Sequence, residues 1–171
     1  MENEREDRRD RLGREAFVTL YVVGTRFEEQ LDEICRDEGI SHPQYSVLWV
    51  VCLTDEDTGV PMRALADGLL HRAADATRLV DRLVVNGLVT RSPSADDRRV
   101  VLVQPTARGR EVFEVTTQRI KDLHRQQFGH LTLAEMQEIT RLLNKAFWSS
   151  VPADASGPTL SLSTRNVTLE P

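Results

Sequence analysis

Cysteines, glycine-rich loops and long apolar runs are scarce or missing in this sequence, and each shortage removes a class of protein. Only two cysteines occur, Cys35 and Cys52, without CxxC or CxC spacing. Neither a disulfide framework nor a zinc knuckle is signalled, so reduced thiols are expected. No apolar run approaches the roughly eighteen residues of a membrane helix. The segment MENEREDRRDRLGR also lacks the apolar core of a secretory signal. A cytoplasmic location with no membrane partner is the expectation. A glycine-rich phosphate loop, a nucleophile elbow and an HExxH pair are all missing, and the paired carboxylates sit in charge runs such as DEDTG. No catalytic site, cofactor or metal is therefore expected.

With 171 residues, 40% of them hydrophobic, the chain has material for one domain and a small appendage. Its net charge of -5 argues against a polyanionic partner only until the charge is divided along the chain. Residues 1–60 carry seven Arg against fifteen acidic residues, a balance of -8. Residues 61–110 carry nine Arg against five Asp, a balance of +4, and residues 111–171 contribute -1. Every cation in the central segment is arginine, whose planar fork suits phosphate and guanine.

Apolar positions Phe17, Leu20, Tyr21, Gly24, Phe27, Leu31 and Ile34 recur at helical spacing, which predicts an amphipathic helix over residues 15–37 closed by Gly39. Ser41 and Gln44 have capping-box spacing and Pro43 tolerates a first turn, so a second helix is expected over residues 42–54. Its run YSVLWVVCL reads as buried. Pro61 is expected to open a short third helix with Met62, Leu65, Ala66 and Leu69. A fourth, over residues 73–86, turns Leu79, Val80, Leu83 and Val84 inward and ends at Gly87. Two β-rich runs, 88–92 and 100–104, flank PSADDRR, which has the character of an exposed hairpin loop. Helical spacing returns from residue 106 with Phe113, Ile120 and Leu123. Thr132 and Glu135 then form another capping box before a last helix striped by Met136, Ile139, Leu142, Leu143, Ala146 and Phe147. Beyond Pro152 the chain turns to Ser, Thr, Pro and Gly, a tail with no core of its own.

A short helix, a tight turn at residues 70–72, a second helix and a β-hairpin make a winged helix-turn-helix. The expected fold class is mainly α with a small β-hairpin wing. Within it, TRLVDRL at 77–83, NGLVTR at 86–91, DDRR at 96–99 and TARG at 106–109 follow one another in an order that resembles the MarR family of transcriptional regulators. The resemblance covers residues 15–148. It implies a winged helix-turn-helix lobe at 41–105 and a helical dimerisation region at 15–40 and 106–150, with a charged arm at 1–14 and a Ser/Thr-rich tail at 151–171.

The resemblance further implies a homodimer on double-stranded DNA, a repressor with two recognition helices in successive major grooves about 34 Å apart on a pseudo-palindromic operator. The apolar stripes of the terminal helices, with Phe17, Phe27, Phe147 and Trp148, agree with an interface. DNA contacts are expected from the fourth helix and its approach, at Arg72, Asp75, Thr77, Arg78 and Arg82, with Arg78 on a base edge and Arg82 on phosphate. In the wing, Asp97 is expected to brace the hairpin by a salt bridge, with Arg98 on the backbone and Arg99 in the minor groove, where a narrow A·T-rich groove concentrates negative potential. The chain departs from the family at Ala73 and Ala74, which replace short hydroxyl residues and can meet thymine methyls. Asp75 suits the helix dipole but repels phosphate.

A small aromatic or phenolic effector is the expected ligand, held by Tyr21, Arg26, His42, Tyr45 and Trp49, although for Tyr45 and Trp49 a place in the core is the favoured reading. Two alternatives stay open, a winged helix that binds a protein partner and a thiol-oxidation sensor. Peroxide-sensing relatives carry their cysteine early in the first helix, where this chain has Thr19 and Leu20. Here Cys35 sits among Asp32, Glu33, Asp37 and Glu38, which oppose a lowered pKa, and Cys52 reads as buried and inert. His124 and His130, six apart, fall on different helix faces and do not make a metal pair.

Overall fold

The computed structural model describes residues 2–54, 59–68 and 73–148. Contacts divide the chain into two compact units, Met1–His42 and Pro43–Pro171.

The first unit is one long helix and its exit turn. α1 (Glu2–Asp37) begins well before the apolar spacing that predicts a start at residue 15, so the charged segment 1–14 is helical from Glu2 onward. Its residues are rich in Arg and Glu, good helix formers, and Asp7–Arg11 and Asp10–Arg14 stand at i,i+4 with the acid first, a spacing that favours a helix without any buried face. The helix stops at Gly39 (φ 75°). The Gly39 N–H donates to the Arg36 carbonyl and the Ile40 N–H to the Cys35 carbonyl, both at 3.0 Å. This pair of bonds satisfies two terminal carbonyls and needs a residue that accepts positive φ.

The second unit is built from α2 (His42–Leu53), β1 (Val60–Pro61), α3 (Met62–Gly68), α4 (Ala73–Val85), β2 (Val89–Pro93), β3 (Val101–Pro105), α5 (Ala107–Phe128) and α6 (Leu133–Trp148). The sheet is antiparallel in the order β1-β3-β2, with Val60 and Arg91 both opposite Val103. A third strand therefore joins the two expected. Pro61 lies in β1 opposite Leu102 rather than opening a helix. An edge strand tolerates proline because the missing N–H faces no partner.

Leu48, Leu65, Val80, Leu83 and Val103 are fully buried in this unit. Each such leucine contributes about 1.5–3 kcal/mol by leaving water. Along α4 the inward stripe is Ala76, Leu79, Val80 and Leu83, at helical spacing. Val84, expected inward, is exposed, because it falls one step outside that stripe. Cys35 is fully buried and Cys52 only half-buried, the reverse of the sequence reading for Cys52, since a nearly all-apolar helix still presents one flank outward.

The Thr132–Glu135 capping box forms as expected. The Thr132 N–H donates to Glu135 Oε2 at 2.8 Å and the Glu135 N–H to Thr132 Oγ1 at 3.3 Å. These bonds, first from the Thr132 backbone and then from its hydroxyl, hold the Glu135 carboxyl below its ordinary value. Along α6, Ile139, Leu142 and Leu143 are exposed, as are Phe17, Leu20 and Tyr21 on α1. Among the described residues no helix is long and apolar enough to cross a membrane. The turn at 70–72 and the tail from 149 lie outside the described residues, as do the side chains of Phe147 and Trp148.

Candidate nucleic-acid interface

α4 and the wing come together through two local devices. At the end of α4, Gly87 (φ 69°) donates its N–H to the Val84 carbonyl and Leu88 donates to the Leu83 carbonyl, each at 2.9 Å. The chain turns sharply there and enters β2 beside the helix it has just left. At the other end of the hairpin, Thr106 caps α5. Its Oγ1 donates to the Gly87 carbonyl at 2.8 Å and accepts from the Gly109 N–H at 2.9 Å. Thr106 thus ties helix α5 to the turn that positions the wing.

With its stripe of Ala76, Leu79, Val80 and Leu83 turned inward, α4 presents Thr77, Arg78, Asp81 and Arg82 outward. Three of the five residues expected at the recognition helix, Thr77, Arg78 and Arg82, are therefore exposed on one helix face. Arg82 borders a shallow depression with Gln44, Val85 and Asn86. Arg72 and the side chain of Asp75 lie outside the described residues, although Asp75 is placed by the backbone in the first turn of α4.

The wing tip is ordered by Asp97. Its Oδ1 accepts the Arg99 backbone N–H at 3.0 Å and the Arg99 Nε at 3.4 Å. The Val100 N–H donates to the Asp97 carbonyl at 2.9 Å, and the Ser94 N–H to the Val100 carbonyl at 2.8 Å. A carboxylate that accepts from the N–H two residues on closes a tight turn without help from the rest of the fold. The Arg99 side chain remains 94% exposed and Arg98 is exposed beside it, so the turn offers two guanidinium groups to an outside partner.

Arg91 was not singled out by sequence and occupies the junction of the two parts. On β2 it shares a face with Val89 by the two-residue period of a strand, and its guanidinium reaches α4. Nη1 donates to Asp81 Oδ1 at 2.6 Å, and Nη2 donates to the Thr77 carbonyl at 3.2 Å. An open cleft of about 480 Å3 runs along this junction, bordered by Arg63, Thr77, Arg91, Arg99 and the apolar Pro61, Met62, Val100 and Val101.

Of the expected ligand-binding residues, Tyr45 and Trp49 on α2 meet Phe113 of α5, with ring centroids 5.9–6.1 Å apart. The Tyr45 hydroxyl lies 3.0 Å from the Thr117 hydroxyl. Tyr21 is exposed on α1 and stacks on Phe17 at 6.5 Å, and Arg26 pairs with Glu29 at 3.0 Å. His42, half-buried, is the first residue of α2. Tyr21, Arg26 and His42 belong to the first unit, Tyr45 and Trp49 to the second. Among the described residues no group of three or more His, Cys, Asp or Glu could hold a metal ion.

The sequence profile of the MarR family matches residues 38–100, from the exit of α1 to the wing. The multiple antibiotic resistance protein MarR of Escherichia coli is 30% identical over 127 residues, covering 74% of this chain and 86% of the relative. The fold is similar to that of a mutant of E. coli MarR complexed with operator DNA, with a TM-score of 0.66 at 28% identity over 75% of this chain and 91% of that one. It is equally similar to CouR from Rhodococcus jostii RHA1 bound to p-coumaroyl-CoA, with a TM-score of 0.66 at 25% identity over 78% of this chain and 92% of that one. An arginine-bearing α4, a wing closed by Asp97 and these likenesses of sequence and fold agree, and the chain belongs to the MarR family of DNA-binding transcription regulators.

Proposed function

We propose that the chain is a homodimeric repressor that occupies a pseudo-palindromic operator and leaves it when a small ligand binds. The observation that carries this reading is the pairing of Thr77, Arg78 and Arg82 on the outer face of α4 with the exposed Arg98 and Arg99 of the wing, all on one lobe. A helix with a short polar side chain and arginines suits the major groove, and a hairpin tip with two arginines suits the minor groove and its phosphates. Arg78 is assigned to a base edge, Arg82 and Arg98 to phosphate and Arg99 to the minor groove. Arg72, which precedes the same helix in sequence, and Asp75, in its first turn, are retained as candidates.

Two copies are needed to read two half-sites about 34 Å apart. The exposed apolar residues Phe17, Leu20 and Tyr21 of α1 and Ile139, Leu142 and Leu143 of α6 support a partner copy covering these helices. Repression is the mode assigned, since a dimer seated on a promoter can exclude other proteins from it. An aromatic or phenolic acid is the effector class retained. CouR binds p-coumaroyl-CoA, the coenzyme A thioester of a phenolic acid, and its phenolic part supports that class. No reaction and no cofactor are assigned to the chain.

The test is binding of the purified protein to duplex DNA from upstream of its own gene at two salt concentrations, with Arg99→Ala in parallel. Tight binding that weakens steeply with salt and drops in the variant supports the reading. Weak binding to every duplex, unchanged by the substitution, defeats it and favours a protein partner for the same winged helix.

A further inference from the structure

Arg91 and Asp81 are ten residues apart in sequence, on different elements, and neither is among the residues expected to touch DNA. The Arg91 side chain is 29% exposed against 94% for Arg99, so more of it is covered by its contacts with α4 than is the case for the wing-tip arginine. It donates to two groups of α4 one turn apart, the Asp81 carboxylate and the Thr77 carbonyl. Two bonds from one planar guanidinium fix a direction as well as a distance. Behind it, β2 is paired to the central strand β3, with Arg91 opposite the fully buried Val103. The strand that carries Arg91 continues directly into the wing.

We infer that Arg91 is a positioning residue for DNA recognition: through Asp81 and Thr77 it locks the recognition helix to the wing, so that both enter their grooves as one rigid body. The inference rests on the DNA-binding reading given above. Without the lock, α4 and the wing still fold, each from its own local bonds. Their relative setting then has to be ordered on DNA, and that ordering is charged against affinity.

Asp81 makes the inference sharply testable. It lies on the outward face of α4 between Arg78 and Arg82. Considered only as a charge, this carboxylate repels the phosphate backbone and its removal should tighten binding. Considered as the anchor of Arg91, its removal should weaken binding.

The experiment uses the full chain and a duplex enriched from a random-sequence library by the wild-type protein. Affinities are compared for wild type, Asp81→Ala, Arg91→Ala, Arg99→Ala and the Arg91→Ala/Arg99→Ala double variant, with unfolding midpoints measured alongside. Asp81→Ala sits at an exposed helical position that alanine suits, so it remains informative if Arg91→Ala does not fold. The expected result is weaker binding in both Asp81→Ala and Arg91→Ala. Loss in the double variant should fall short of the product of the single losses by about fivefold or more, because a wing no longer set by Arg91 gains less from Arg99. Tighter or unchanged binding in Asp81→Ala, or losses that simply multiply, overturns the inference while leaving the DNA reading intact. If the wild-type protein enriches no duplex and Arg99→Ala changes nothing, the DNA reading fails and the inference falls with it.

Discussion

Gly109 lies directly against the carbonyl of Leu88, so close that any Cβ at position 109 would overlap the carbonyl oxygen and carbon. The contact is backbone on both sides, with no flexible side-chain end to give way, and it brings the first turn of α5 onto the start of the wing. Gly109→Ala should therefore force apart the two elements that Thr106 joins, with a cost in the range of about 1–3 kcal/mol or above typical of overpacking. The check is the denaturant midpoint. A variant as stable as wild type would show that α5 can shift without strain.

Thr106 stabilises the same junction by bonding rather than by absence of bulk. Its hydroxyl accepts from the Gly109 N–H and donates to the Gly87 carbonyl. Thr106→Ala should cost about 0.5–2 kcal/mol, as loss of a helix cap does. Thr106→Ser should recover most of it, since the hydroxyl is what the cap uses. Equal losses in the two variants would point to packing of the threonine methyl instead.

The family's TARG motif is legible in these terms, because its threonine and glycine answer physical demands of one joint. So are the helix stops at Gly39 and Gly87, where the backbone takes positive φ, and the inward stripe of α4, which any 3.6-residue count finds. What escapes the sequence is whatever depends on distant packing. Pro61 fits the first turn of a helix and an edge strand equally well, and only pairing with Leu102 decides between them. The start of α1 cannot be found from an apolar stripe, since its first turns are held by charge spacing. Arg91 and Asp81 are two charges among many in the sequence; their bond exists only because β2 folds back along α4.

Glu135 gives the α6 capping box a pH dependence. Its carboxyl is held below the ordinary value of 4.5 by bonds to the Thr132 backbone N–H and hydroxyl. Because the folded value is the lower one, the ionised form contributes stability at pH above the unfolded value. That contribution is lost as pH falls from 4.5 through the folded value. Glu135→Gln, which cannot titrate, should flatten this part of the curve of melting temperature against pH. Identical acid slopes in wild type and variant would place the acid sensitivity elsewhere.

Thiol chemistry should separate the two cysteines by burial. Cys35 is fully buried, so a thiol reagent should reach it only on unfolding, whereas half-buried Cys52 should react first in the native protein. Mass spectrometry after brief labelling of the native chain reads the order directly. Rapid native labelling of Cys35 would reverse that order and revive an oxidation-sensing role.

Arg98 and Arg99 are neighbours at the wing tip with different settings, and they should fail differently. Arg99 has its backbone N–H and Nε held by Asp97, which aims a largely exposed guanidinium in one direction. An aimed cation is suited to a groove whose width depends on sequence, so Arg99→Ala should lower affinity and also weaken preference for A·T steps under the wing. Arg98, assigned to phosphate, should lose affinity uniformly across sequences and reduce the salt slope by about one. Asp97→Ala should resemble the loss of Arg99 even though it removes a negative charge, because the guanidinium survives while its aim does not. Binding measured across duplexes that differ only in the wing-facing steps, at several salt concentrations, separates the three. If Asp97→Ala binds more tightly with preference intact, the carboxylate acts on DNA as a simple repulsive charge and the wing needs no bracing.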